Sequence, residues 1–225
     1  MATQANVSTL LLRHVPLFAL LPDHQLAALT SAVSRRSFPR GTTIIAAGDA
    51  GDSLHFVLTG ALKVVISDKD DGREVILSML GPGEYFGEFA ALDDSARSAS
   101  VVSLGPCELL MLSKPYFIKC LSENFEMTMT VMRCLVQRLR EANRKIGSLA
   151  LMGVYGRVAR RLLEMSETVD GHHVVTGKVV KNDIAKMIGA SRETVSRVMK
   201  DLYVGGFIEV RGNAIYLRDN IATIN

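Results

Sequence analysis

Cysteine is the first scarcity. Cys107, Cys120 and Cys134 are widely spaced and odd in number, which argues against a disulfide framework and a zinc module and suits a reducing cytoplasm. No cysteine precedes Cys107, so an iron–sulfur cluster near the N-terminus has nothing to hold it. His14, His24 and His55 are conceivable haem ligands, but no convincing second ligand accompanies them. His172-His173 reads as a loop before a strand. Long apolar runs are missing too: none approaches the roughly 20 residues that span a bilayer. The N-terminus lacks the basic stretch and apolar core of a secretory signal. A cytoplasmic protein with no membrane partner is the expectation. Ser, His and Asp show no motif grouping, so no catalytic residue, metal ligand or enzyme activity is predicted.

Neither sign of charge is in large excess, the formal total being +3 over 225 residues. Its placement says more than its size. Positions 1–150 hold 15 basic and 15 acidic residues and the remainder 11 and 8, so the positive excess falls in the last third. A phosphate-contacting module needs such a bias, although many solvated surfaces carry as much. The length allows two modest domains or one large one, and the composition is ordinary for a soluble globular protein.

What is present separates by period. Over 7–33 the residues Leu10, Leu11, Leu17, Leu20, Leu21, Leu26 and Leu29 recur at helical spacing, broken by Pro16 and Pro22. Over 38–112 short β-branched runs take over. They are Thr42-Thr43-Ile44-Ile45, Leu54-His55-Phe56-Val57-Leu58, Leu62-Lys63-Val64-Val65-Ile66, Val75-Ile76-Leu77, Ser100-Val101-Val102 and Leu109-Leu110-Met111-Leu112. Glycines between them predict the corners of a small antiparallel barrel or roll.

Over 122–152 the pattern is helical and long. Phe125, Thr128, Met132, Leu135, Leu139, Ala142, Ile146 and Leu149 step by three and four, the seam of a dimeric coiled coil, or else the buried stripe of an ordinary amphipathic helix. Gly147, Gly153 and Gly156 offer a hinge. A helix over 154–167, a strand over 173–175 and a terminal hairpin follow. That hairpin is Phe207-Ile208-Glu209-Val210, the turn Arg211-Gly212-Asn213, and Ala214-Ile215-Tyr216-Leu217.

Between strand and hairpin lies Ile184-Ala185-Lys186-Met187-Ile188-Gly189-Ala190-Ser191-Arg192-Glu193-Thr194-Val195-Ser196-Arg197. It reads as two helices joined by a sharp turn: Ala185 is small where helices cross, Gly189 accepts positive φ, and Ser191 is a good N-cap. Val195, Val198, Met199 and Leu202 form the buried face. Arg192, Glu193, Ser196 and Arg197 fall near one face, suited to guanine, cytosine and phosphate contacts. Ser191, Thr194 and Lys200 complete the candidate DNA-binding set.

In the roll, Gly83-Glu84-Tyr85-Phe86-Gly87-Glu88-Phe89 is followed by Arg97-Ser98-Ala99. Successive amides after Gly87 form a nest for phosphate oxygens, Arg97 presents a fork and Ser98 a hydroxyl, while Glu88 accepts from a ribose 2′-hydroxyl. The bland alternative is an internal Glu88–Arg97 salt bridge. Together with Lys145-Ile146-Gly147-Ser148-Leu149-Ala150 and the helix-turn-helix stretch, these residues resemble the catabolite activator/fumarate–nitrate regulator (CRP/FNR) superfamily over about 17–217. The resemblance implies an α+β fold with an N-terminal antiparallel β-roll of the cyclic-nucleotide-binding type. A long central dimerisation helix and a C-terminal winged helix-turn-helix complete it, with divisions at 1–121, 122–152 and 153–225.

It also implies a homodimer on double-stranded DNA, an RNA polymerase contact, and a non-covalent cyclic-nucleotide effector held by Gly87, Glu88, Phe89, Arg97 and Ser98. Family members that respond to cAMP contact adenine with a Thr-Ser pair on the long helix. Here those positions are Ala142 and Asn143, flanked by Arg140 and Arg144. Alanine offers adenine nothing, and the other three suit a guanine edge or a second phosphate. Cyclic di-GMP is therefore placed ahead of cAMP, unless the arginines are merely solvated flanks. The alternative function is a ligand-independent DNA-binding regulator whose roll is only a scaffold. Arg192, Glu193 and Arg197 match the catabolite-activator type of reading helix, and Glu193, Ser196 and Arg197 the fumarate–nitrate type.

Overall fold

The computed structural model describes residues 9–13, 15–68, 70–176 and 179–224; Val7 and His14 lie outside them. Contacts divide the chain into two compact units that meet between Arg138 and Leu139.

The first unit begins with α1 (Thr9–Arg13) and α2 (Asp23–Ala32), and α2 passes directly into β1 (Val33–Phe38). Then come β2 (Thr43–Ile45), β3 (Ser53–Thr59), β4 (Leu62–Ser67), β5 (Glu74–Leu80), β6 (Tyr85–Phe86), α3 (Glu88–Asp93), β7 (Ser100–Ser103) and β8 (Cys107–Ser113). They make two four-stranded antiparallel sheets, β1-β8-β3-β6 and β2-β7-β4-β5. β3 is buried over four successive residues because both of its faces are covered. Leu54 and Phe56 join Leu110, Leu112, Leu26, Leu29 and Phe117 in a core under the helices. Val57 and Leu109 meet Leu62, Leu80 and Val101 between the sheets.

β1 is not expected from the periodicity, since Arg35 and Arg36 interrupt its apolar alternation. It is an edge strand, and Arg35 donates to Glu108 across the β1–β8 pair at 2.5 Å. Charge on an edge deters pairing with a second chain.

The helix expected over 122–152 is α5 (Phe125–Leu151), and a helix not expected from the sequence, α4 (Lys114–Glu123), precedes it. Asn124 Oδ1 accepts from the Met127 amide at 2.9 Å, capping a new helix start. On α5, Met127 and Val131 are buried, and Cys134 and Leu135 pack against the same core. The Thr128 hydroxyl donates to the Leu121 carbonyl at 2.7 Å. Thr128 and Leu135 of the expected seam thus serve their own unit, while Phe125, Met132, Leu139, Ile146 and Leu149 are exposed and Val136 joins them.

The second unit takes the end of α5 and continues through α6 (Val154–Met165), β9 (Glu167–Val169), β10 (His172–Val175), α7 (Lys181–Ile188), α8 (Arg192–Val204), β11 (Ile208–Arg211) and β12 (Ala214–Leu217). α6 stops at Met165 rather than at 167, because Glu167 opens β9, an unexpected edge strand of the sheet β11-β12-β10-β9. His172 and His173 lie within β10 and not in a loop before it. Arg211 belongs to β11, which leaves Gly212-Asn213 as a two-residue hairpin turn. Val158, Leu162, Ile184, Val195, Val198, Leu202 and Ile215 build the core. Among the described residues no helix is long and apolar enough to cross a membrane, and no group of three or more His, Cys, Asp or Glu is placed to hold a metal ion.

Candidate functional site

Two clusters gather the candidate site residues, one in each unit. In the roll, Gly87 follows β6 with φ of +90° and is the N-cap of α3. A Cβ there would stand 2.6 Å from Nη1 of Arg97, so glycine is required both by the backbone and by its neighbour. Arg97 is 5% exposed. Its Nη1 donates to the Gly87 carbonyl at 2.8 Å and its Nη2 to the Ser53 carbonyl at 2.6 Å. A guanidinium has five N–H donors; here Nε is buried without a partner among the described residues. Burial pulls Arg97 below its ordinary pKa, and Asp52 and Glu88 oppose that.

Glu88 is 1% exposed, and the alternative of a bridge to Arg97 is not its ion pair. Its Oε1 pairs with Nη1 of Arg138 on α5. Nη2 of the same arginine donates to the Tyr85 carbonyl at 2.6 Å, and the guanidinium carbon sits 5.3 Å from the centre of the Tyr85 ring. Glu88 Oε2 is buried with no donor among the described residues. Burial raises the Glu88 carboxyl, against the pull of Arg138. Burial is the largest influence on Arg138 and acts to lower it, but Glu88, Cys134 and Tyr85 together outweigh it, so the guanidinium is held more firmly protonated than usual. In the sequence Arg138 is one polar flank of the long helix among several. Its partner lies 50 residues upstream, and no local pattern announces that.

Ser98 and Phe89 are exposed beside this cluster in sequence. Arg140, Ala142, Asn143 and Arg144 are exposed on the part of α5 that belongs to the second unit, and Arg144 approaches Glu141 of its own helix at 4.0 Å. His55, on β3, is 2% exposed and stacked on Phe86 with ring centres 4.9 Å apart. Burial first, then Arg97, lowers its pKa to about 4.

In the second unit α7 and α8 form the helix-turn-helix. Gly189 takes φ of +63° at the turn, and Arg157 Nη1 donates to the Ile188 carbonyl at 2.7 Å. Ser191 caps α8, its Oγ accepting from the Thr194 amide at 3.0 Å. The Thr194 hydroxyl lies 2.9 Å from the same Oγ, so it is part of the cap. Arg192, Glu193 and Ser196 line a surface recess with Ser191, and Arg197 and Lys200 are exposed further along α8. Val195, Val198, Met199 and Leu202 are buried. In the wing the Arg211 guanidinium stacks 4.5 Å from the centre of the Tyr216 ring.

Residues 35–124 match the cyclic nucleotide-binding domain model, and residues 156–220 match the Crp-like helix-turn-helix domain model. The chain is 30% identical over 214 residues to the CRP-like cAMP-activated global transcriptional regulator of Mycobacterium tuberculosis, spanning 93% of this chain and 95% of that one. It is 35% identical over 188 residues to the cAMP-activated global transcriptional regulator Vfr of Pseudomonas aeruginosa, spanning 80% and 87%. Among solved structures, the c-di-GMP responsive global regulator CLP of Xanthomonas campestris superposes with a TM-score of 0.72 at 26% identity, over 87% of this chain and 99% of that one.

Proposed function

The chain belongs to the CRP/FNR family of transcription regulators, and from that premise we propose that a cyclic nucleotide bound in its roll switches the α8 helix on DNA. It is a DNA-binding regulator with a cyclic-nucleotide-binding domain, not an enzyme.

The observation that carries the ligand reading is a buried acceptor beside buried spare donors. Among the described residues Glu88 Oε2 has no donor and Arg97 Nε–H no acceptor, and such groups are costly unless something satisfies them. A ribose hydroxyl suits the first and a phosphate oxygen the second. Phe89 and Ser98 complete the proposed contact set. Arg138 adds the transmission, because it fastens α5 to Glu88 and Tyr85. One turn later the same helix carries Ala142 and Asn143. A ligand shifts an equilibrium only through contacts that differ between two states, and the helix contacts are the ones free to differ.

Cyclic di-GMP is the effector proposed. Arg140, Asn143 and Arg144 supply donors for guanine O6 and N7 or for a second phosphate, and Ala142 supplies nothing to adenine. The neighbour named as c-di-GMP responsive supports the same reading. cAMP is the second reading, favoured by the relatives named as cAMP-activated. Calorimetric titration of the full-length protein with each nucleotide separates them. Micromolar or tighter binding of cyclic di-GMP, with weaker binding of cAMP, is expected. No heat with cyclic di-GMP at micromolar concentration overturns the choice. A gel shift unchanged by either nucleotide would leave the roll as a scaffold.

Two copies are proposed to join along the exposed stripe Phe125, Met132, Leu139, Ile146 and Leu149, placing two α8 helices one DNA turn apart. Arg192, Glu193, Ser196, Arg197 and Lys200 then face the duplex, in the cytoplasm, with RNA polymerase as the downstream partner. In this division 1–121 receives the ligand, 122–152 dimerises and hinges, and 153–225 binds DNA.

A further inference from the structure

Tyr155, in the first turn of α6, donates its hydroxyl to Oδ2 of Asp201 on α8. The tyrosine is 40% exposed and Asp201 is exposed too, so the bond does not serve to satisfy a buried group. Asp201 stands one helical turn after Arg197. At that i, i+4 spacing a carboxylate and a guanidinium meet on a helix surface. Asp201 nevertheless bonds to Tyr155, although the charge of Arg197 is near enough to act on the tyrosine hydroxyl.

We propose that Tyr155 is a positioning residue for base reading: by holding the Asp201 carboxylate it leaves the Arg197 guanidinium free for DNA. The inference rests on α8 reading DNA through Arg197. Without the tyrosine hydroxyl, Asp201 swings to Arg197 and occupies the fork that would otherwise address a guanine edge. Specific binding then suffers while the positive field that holds random DNA is little changed, because Asp201 is present in either case.

The test compares wild type, Tyr155→Phe, Asp201→Asn and the double variant as full-length proteins. Each is titrated against a selected DNA site and random DNA, with cAMP or cyclic di-GMP present. Tyr155→Phe is expected to weaken the selected site about 5–10-fold, to change random-DNA binding less than about twofold, and to flatten preference at the base pair facing Arg197. Adding Asp201→Asn should restore affinity and preference, since the amide no longer captures the guanidinium. Equal loss on both DNAs would make the bond a mere brace between α6 and α8 and overturn the proposal. So would no loss, or a loss that Asp201→Asn does not repair. A wild-type protein that binds random and selected DNA alike would overturn the DNA reading of α8 itself, and the positioning role with it.

Discussion

Glu88 and Arg97, 1% and 5% exposed, answer to groups brought from β3, β6 and α5. Arg192, Glu193, Arg197 and Lys200 stand in water on one short helix. The same residue types thus do opposite work in the two units. An exposed charge on α8 costs little to display, and on the proposed reading it gains energy only when DNA displaces its water and counterions. A buried charge in the roll has already lost its hydration and depends wholly on its partners. That makes the roll the sensitive part: a ligand competing for Glu88 or Arg97, as proposed, would redistribute large energies, and α5 is tied to one of them. The reading helix needs no such sensitivity, only rigidity, which its cap and its buried face provide.

The widest test of this contrast is Arg138→Ala. It leaves Glu88 buried without its counter-charge, and removing one member of such a pair costs about 3–5 kcal/mol. The lower end is expected, because the Arg138 side chain keeps 29% of its exposure and Glu88 can take up a proton. Thermal unfolding should show a fall of roughly 6–10 °C for the roll, with nucleotide binding lost by calorimetry. The pair Glu88→Leu with Arg138→Met should recover much of the stability and none of the binding. A fall under about 1 kcal/mol for Arg138→Ala would make the pair no different from a surface one and erase the contrast.

pH gives a second handle. His55 is neutral in the folded roll, with its pKa lowered from 6.5 to about 4. Below pH 6.5 the unfolded chain binds a proton that the folded roll refuses until about pH 4. Stability present above pH 6.5 is therefore lost as pH falls through that window, by about 1.4 kcal/mol per unit and about 3 kcal/mol in all. Melting curves from pH 7 to pH 4.5 should show this slope, and His55→Phe, which keeps an aromatic ring against Phe86, should flatten it. An unchanged slope in the variant would assign the acid sensitivity to other groups.

The contrast also governs what the chain reveals by its order of residues alone. Ser191, Gly189 and the spacing of Val195, Val198 and Leu202 are local, so the helix-turn-helix is legible in one short stretch of sequence. The β-runs around Val57 and Val65 are legible for the same reason, and the Gly87–Arg97 motif through family resemblance. Three features are not. β1 hides behind Arg35 and Arg36, and the role of Arg35 is set by Glu108, 73 residues away. The break at Asn124 depends on a capping bond that helical periodicity does not register. The alternative partner for Glu88 in the sequence is nearby Arg97, and the ion pair is instead with Arg138. Local grammar reveals elements and caps; buried charge pairs across the fold leave no mark on neighbouring sequence.

The smallest expected effect belongs to the exposed side of the contrast. Arg197→Ala removes a side chain that stands in water, so folding stability should move by no more than about 0.5 kcal/mol. Its cost should appear only against DNA: about 1–3 kcal/mol on a selected site and almost none on random sequence. Lys200→Ala provides the control, because a phosphate contact weakens both DNAs alike and lowers the slope of log affinity against log salt by about one. Equal losses for Arg197→Ala would place Arg197 on the backbone as well, and base discrimination would then rest with Arg192 and Glu193 at the start of α8. A large drop in stability would contradict the contrast itself, since it would mean that a charge on the reading helix carries structure as Glu88 does in the roll.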